Sequence, residues 1–122
     1  MNILIVDDEE YMLTMLKESM ESDTRTLFFA ENIADAWSII NNETIDLVIT
    51  DLVMPEVNGI DFIIELKKTN DKLPVIAMSG GGGINGRFDY LSIAKLIGAK
   101  HILEKPFDIF KLISLVDETM AC

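Results

Sequence analysis

Cysteine is all but missing from this chain: the one copy, Cys122, stands at the last position. No internal disulfide and no CxxC metal pattern can form, and a reducing compartment is the expectation. Histidine is just as scarce. His101 stands alone, which excludes a two-histidine zinc site. Long apolar runs are also lacking. Mean hydropathy is +0.28, yet no charge-free stretch approaches membrane-spanning length. The run Met1-Asn2-Ile3-Leu4-Ile5-Val6 is too short for a signal peptide and meets acids at once. Basic residues are few, ten against 21 acids, for a formal net charge of −11. Such a chain does not hold a nucleic-acid backbone by bulk charge, and anionic lipid surfaces repel it. The carboxylate excess suits a cation or a basic partner. A soluble cytoplasmic protein, with no membrane or direct nucleic-acid role, is expected.

What is present is a good core. The 122 residues are 49% hydrophobic, enough for one domain spanning 1–122. Short β-branched or aromatic runs at 2–6, 25–30, 46–50, 74–78 and 100–104 read as strands. Between them lie helical stripes. Ile33, Ala36, Trp37 and Ile40 recur at i, i+3, i+4 and i+7, as do Ile109, Leu112, Ile113 and Val116, whose stripe Met120 continues. Stretches 9–21, 58–69 and 87–97 carry further stripes, with Met12, Met15, Leu16 and Met20 forming the first. Tyr11 and Leu13 fall beside that stripe and are expected at the surface, as are Phe110 and Leu115 on the last helix. Five β-α units predict an α/β fold: a doubly wound, five-stranded parallel sheet, (βα)5 and flavodoxin-like, with helices on both faces.

In such a sheet ligands bind beyond the carboxyl ends of the strands, where strand order reverses. Asp7, Asp8, Glu9 and Glu10 follow the first strand. Asp51 follows the third, Ser79 the fourth, and Lys105-Pro106 the fifth. Clustered aspartates raise one another's pKa, and a cation relieves the repulsion. All-oxygen ligands favour Mg²⁺ (or Mn²⁺) together with phosphate oxygens. One carboxylate can then attack phosphorus, with the lysine and hydroxyl meeting the phosphoryl oxygens.

These segments are Ile5-Val6-Asp7-Asp8-Glu9, Asp51-Leu52-Val53-Met54-Pro55 with Asn58-Gly59, Ser79, and Lys105-Pro106-Phe107. Together, in order and each at a strand end, they resemble the receiver domain of bacterial two-component response regulators, in a stand-alone form. The resemblance runs from Asn2 to about Thr119. It implies that Asp51 accepts a phosphoryl group from a phosphohistidine on a sensor histidine kinase or histidine phosphotransfer protein. It implies that Asp8 binds Mg²⁺ directly, Asp7 through water, and that Asp51 and the Val53 carbonyl complete the protein ligands. Lys105 would contact the phosphoryl group and, before transfer, Asp51. Ser79 and the Gly80 amide would bind phosphoryl oxygens. A cis bond before Pro106 would orient Lys105. Docking of the donor falls to the first helix and the loop after the fifth strand. The downstream target is an unknown protein, and the chain is expected as a monomer or weak dimer.

Two departures from that pattern stand out. Ile102 occupies the switch position three before the lysine, usually aromatic, so a rotating ring cannot carry the signal. Val53 and Gly81, two beyond the acceptor and the hydroxyl, cannot position an attacking water. The glycine-rich loop Gly80–Gly86 is then the expected moving part, ordered when Ser79 is drawn toward a phosphorylated Asp51.

Each motif alone has a plainer reading. Asp7 to Glu10 suit a helix N-terminus, Asp51 a turn, and Lys105 a solvated surface. Gly81 to Gly86 matches GxGxxG, but it follows the fourth strand and lacks a second nucleotide-binding half. His101 reads as a partly exposed residue opening the fifth strand rather than a phosphohistidine. A phosphoacceptor switch that is not an enzyme is the leading function. Two alternatives compete with it. An aspartate-nucleophile phosphohydrolase would need an acid at Val53. A non-phosphorylated interaction module would not need Asp7, Asp8, Asp51, Ser79 and Lys105 intact.

Overall fold

The computed structural model describes residues 1–54, 57–79 and 90–121. Gly80 and the rest of the expected switch loop, Gly80–Gly86, lie outside the described residues. The sheet is built from β1 (Asn2–Val6), β2 (Thr26–Ala30), β3 (Leu47–Asp51), β6 (Val75–Ser79) and β7 (His101–Glu104). Its order is β2-β1-β3-β6-β7, and every pairing is parallel. The helices are α1 (Glu10–Met20), α2 (Ile33–Asn42), α3 (Gly59–Thr69), α4 (Tyr90–Leu96) and α5 (Ile109–Met120).

The run Ile3-Leu4-Ile5-Val6 is apolar without a break because β1 is covered on both sides. Ile3 and Ile5 face α1 and α5, among Leu16, Met20, Leu112 and Val116. Leu4 and Val6 face the other way, onto α2, α3 and α4 through Ala36, Ile63, Leu66 and Ala94. The same alternation divides Val48 from Leu47 and Ile49 on β3, and Val75 and Ala77 from Ile76 and Met78 on β6. Trp37 and Phe62 join α2 to α3, ring edge to ring face, with centroids 5.5 Å apart. Such pairs contribute about 0.5–1.5 kcal/mol beyond their burial.

Three expectations are corrected. Leu13 is buried, 8% exposed, while Tyr11 is 69% exposed. The packed stripe of α1 is wider than the methionines mark: Leu13, Leu16 and Met20, at i, i+3 and i+7, point into one core. Leu115 is half-buried and packs on that same core, unlike Phe110, which is 75% exposed. Finally, Asp51 and Ser79 are the last residues of β3 and β6 rather than the first beyond them. Their neighbours still reach them, with Asp51 opposite Met78 and Ser79 opposite Glu104. The ladder therefore holds both residues in fixed register.

After β3 the chain folds into a small antiparallel hairpin, β4 (Val53–Met54) and β5 (Val57–Asn58), which the sequence pattern does not announce. Gly59 closes it. Its amide donates to the Leu52 carbonyl at 2.8 Å. A β-carbon at Gly59 would stand 2.6 Å from the Leu52 Cα and 2.7 Å from the Asp51 carbonyl oxygen. Those are backbone atoms and cannot swing aside. Gly59→Ala is expected to cost about 1–3 kcal/mol through this overpacking. In urea unfolding the midpoint falls while the m-value holds; an unchanged midpoint would mean that the hairpin yields freely.

Candidate functional site

Strand order reverses between β1 and β3, which opens a crevice at their carboxyl ends. Asp7 continues β1 by one residue, its amide donating to the Ala30 carbonyl at 3.0 Å. Asp7 is fully buried, Asp51 is 4% exposed and Asp8 faces solvent. Carboxylate oxygens from Asp7, Asp8 and Asp51 all lie within 4.8 Å of one another. Of the residues expected at the sheet edge, these three and Lys105 are brought together.

Lys105 reaches the crevice from beyond β7. Its amide donates to the Ser79 carbonyl at 2.7 Å, which ties the ends of β6 and β7 together. The Lys105–Pro106 peptide bond is cis. The Lys105 ammonium donates to Asp7 Oδ2 at 2.8 Å, to Glu9 Oε1 at 3.2 Å and to Asp51 Oδ2 at 3.3 Å. Glu9 is the contact that the sequence reading missed. It stands at the start of α1, yet its side chain does not cap the helix. Its amide is bound instead by Asp7 Oδ1 at 2.9 Å, and that two-residue turn aims the carboxylate back at Lys105. An acid two residues beyond a strand-end aspartate is the signal that could have found it.

The other oxygen of Asp51 accepts from the Val53 amide at 3.3 Å. Val53 itself is 53% exposed, so its side chain leaves the crevice to solvent. Ser79 is 1% exposed, and its buried Oγ has no hydrogen-bond partner among the described residues. A buried hydroxyl without a partner costs about 1–3 kcal/mol, so an oxygen ligand arriving there meets a ready donor. Ile102 sits at 36% exposure on β7, with no polar atom on its side chain to offer the crevice.

The charges are arranged unevenly. Burial pushes the Asp51 carboxyl above its usual value; the Lys105 charge opposes this and Asp7 adds to it. Burial works to lower the Lys105 ammonium, but the hydrogen bond to Asp7 and the charges of Asp51 and Asp7 outweigh it, so its pKa is raised. Among the described residues, one cation stands among the four carboxylates of Asp7, Asp8, Glu9 and Asp51, which leaves the crevice net negative. The all-oxygen donor set and the spacing of Asp7, Asp8 and Asp51 fit a hard divalent cation such as Mg²⁺.

Residues 3–117 match the family described as "Response regulator receiver domain". The chain belongs to that family. It is 33% identical over 120 residues to the DNA-binding transcriptional regulator NtrC of Bradyrhizobium, covering 98% of this chain and 24% of that protein. The chain thus spans about a quarter of the length of its first curated relatives. A receiver domain protein from Clostridium thermocellum superposes with a TM-score of 0.87 at 30% identity, covering 98% of this chain and 94% of that one. The beryllofluoride-activated NtrC4 receiver domain dimer superposes with a TM-score of 0.87 at 26% identity, covering 98% and 96%. The receiver is a phosphoacceptor signalling domain of two-component systems, and its five-stranded flavodoxin-like sheet is the one described above.

The Asp51 shift has a sign that can be tested in the receiver without metal. Folded Asp51 holds its proton more firmly than the unfolded chain does. Its contribution to stability is therefore fully present below the unfolded value of ~3.9 and is lost as pH rises through the higher folded value. Asp51→Asn removes that loss. In EDTA it is expected to melt above the parent at neutral pH, by on the order of 1 kcal/mol, with the gain vanishing in acid. A lower melting temperature at neutral pH would show that the Lys105 contact outweighs burial.

Proposed function

We propose that this receiver accepts a phosphoryl group on Asp51 from a phosphohistidine and passes the signal to a partner protein by a shift in conformation. The observation that carries it is the shared ammonium of Lys105, held 3.3 Å from Asp51 and 2.8 Å from Asp7 in the crevice between β1 and β3. Asp7, Asp8, Asp51 and the Val53 carbonyl would hold Mg²⁺ (or Mn²⁺), Asp8 directly and Asp7 through water. The metal would neutralise charge on the transferring phosphoryl oxygens. An Asp51 oxygen forms the new bond to phosphorus in line with the breaking P–N bond, whose electron pair returns to the donor imidazole. Lys105 turns from its carboxylates to a phosphoryl oxygen, and the Ser79 hydroxyl donates to another. The Gly80 amide is assigned a third contact.

Several finer points belong to the same reading. The donor is a sensor histidine kinase or histidine phosphotransfer protein, and the site of action is the cytoplasm. No helix among the described residues is long and apolar enough to cross a membrane. The chain works as a monomer or weak dimer without contacting nucleic acid itself. It turns over no substrate: the position two beyond Asp51 is Val53, which has no proton to give a leaving group. Ile102 leaves readout to Ser79 and the segment after it.

Incubation with Mg²⁺ and acetyl phosphate or phosphoramidate, followed by intact-mass measurement, tests the assignment. The mass should rise by one phosphoryl group, and Asp51→Asn should abolish the gain. An adduct that survives the substitution sinks the proposal. The metal has its own check. At fixed ionic strength, Mg²⁺ at ~100 times its dissociation constant should add about 2.7 kcal/mol of stability. Asp8→Ala should remove that shift more fully than Asp7→Ala.

A further inference from the structure

Four of the ten basic residues of this acidic chain line a single recess of about 620 Å³, far from the aspartates. Lys67 comes from the last turn of α3, Lys72 from the loop before β6, Lys95 from α4, and Lys100 from the residue preceding β7. They meet beneath the amino ends of β6 and β7, the opposite end of these strands from Ser79 and Lys105. Asp71 is the one acid in the lining, so the recess is net positive.

Ordinary structural work accounts for two of the lysines. Lys67 Nζ donates to the Leu73 carbonyl at 2.8 Å, and Lys95 Nζ to the Lys100 carbonyl at 2.6 Å. Both also suit the negative end of their helices. It does not account for the other two. The Lys72 and Lys100 ammonium groups have no hydrogen-bond or ion-pair partner among the described residues, and both side chains are exposed. Nor does it account for the shape. Gly98 has φ +122°, and a β-carbon there would stand 3.1 Å from Lys67 Cε and 3.2 Å from Cγ. The glycine lets the Lys67 stem lie along the wall, with its charge held inside the hollow. Burial lowers the pKa of that ammonium; Asp71 offsets part of the effect and the charge of Lys100 adds to it. Like charges thus face one another across a concave space in which Asp71 is the one acid among four lysines.

We propose that this recess binds the phosphoryl group of a small, soluble phosphorylated molecule, separately from the phosphoacceptor crevice. Four lysines around one recess, each carrying a compact point charge, suit a compact multivalent oxyanion. The concavity favours a small ligand over a flat lipid surface. A volume of about 620 Å³ falls within the usual range for small-molecule sites.

The probes are inorganic pyrophosphate, ADP and citrate, titrated in EDTA so that no divalent metal links them to Asp7, Asp8 and Asp51. Binding is followed by calorimetry and by amide chemical shifts. Pyrophosphate is expected to bind saturably, to move the amides of Lys67, Lys72, Gly98 and Lys100, and to weaken as salt is raised. The double variant Lys72→Gln/Lys100→Gln removes two exposed charges and should melt like the parent while binding about tenfold more weakly or worse, a loss of about 1.4 kcal/mol or more. ADP binding as tightly as pyrophosphate supports recognition of the phosphoryl groups alone, and tighter binding adds a nucleoside to the ligand. Citrate binding as tightly as pyrophosphate overturns the phosphoryl assignment. Absence of saturable binding, or binding that the double variant leaves unchanged, overturns the site.

Discussion

Among the described residues the ammonium of Lys105 is the one cation that touches Asp7, Glu9 and Asp51, and this end of the fold is organised around it. Its stem leaves a strand end that is tied by its amide to Ser79. Its tip is divided among Asp7, Glu9 and Asp51. The arrangement holds three strands in relation: β1 through Asp7, β3 through Asp51 and β7 through Lys105 itself. A charge buried with several partners is costly to strip of one of them. One positive charge also does not balance the four carboxylates of Asp7, Asp8, Glu9 and Asp51. A site left net negative, with the carboxylate oxygens of Asp7, Asp8 and Asp51 grouped together, suits a second cation.

The sheet provides the rigidity this requires. β1, β3 and β6 are buried along almost their whole length, so their apolar residues cannot shift register without exposing a face to the wrong layer. Asp51 and Ser79, as final rungs of the ladder, inherit that register. Ser79 then carries a polar atom into a place the core has already closed, with no partner among the described residues. The same packing that fixes the backbone leaves this hydroxyl without a partner among the described residues at the carboxyl end of β6, where a new oxygen ligand would satisfy it.

Most of this was legible in the residues. Uninterrupted apolar runs bounded by acids or by Lys-Pro mark strands buried on both faces, and their ends identify the crevice. Asp7, Asp8, Asp51 and Lys105 could be placed on one edge because parallel β-α units leave little freedom about where strand ends lie. What stayed hidden depends on tertiary contacts. Leu13 reads as flanking a methionine stripe until α1 is seen to bury a wider face. The hairpin of Val53–Met54 and Val57–Asn58 is too short to leave a periodic signal. Glu9 is indistinguishable from any acid at a helix start until the turn made by Asp7 aims it at Lys105.

Net charge was the least informative of the summary quantities, because charge acts through its distribution. A total of −11 points to cations and basic partners, and at the carboxyl ends of the strands that is the local situation. At the amino ends of β6 and β7 the sign is reversed, with four lysines around one hollow. The two ends are separated by the length of a five-residue strand, roughly 17 Å at ~3.3 Å per residue. That exceeds the screening length of about 8 Å at physiological salt. The exposed charges at the two ends are therefore largely screened from one another. On the proposed function, a phosphoryl group arriving at the crevice would meet a negative field that a divalent cation would offset. At the proposed lysine recess the same group would meet attraction without a metal, so the two ends would differ in metal requirement as well as in sign.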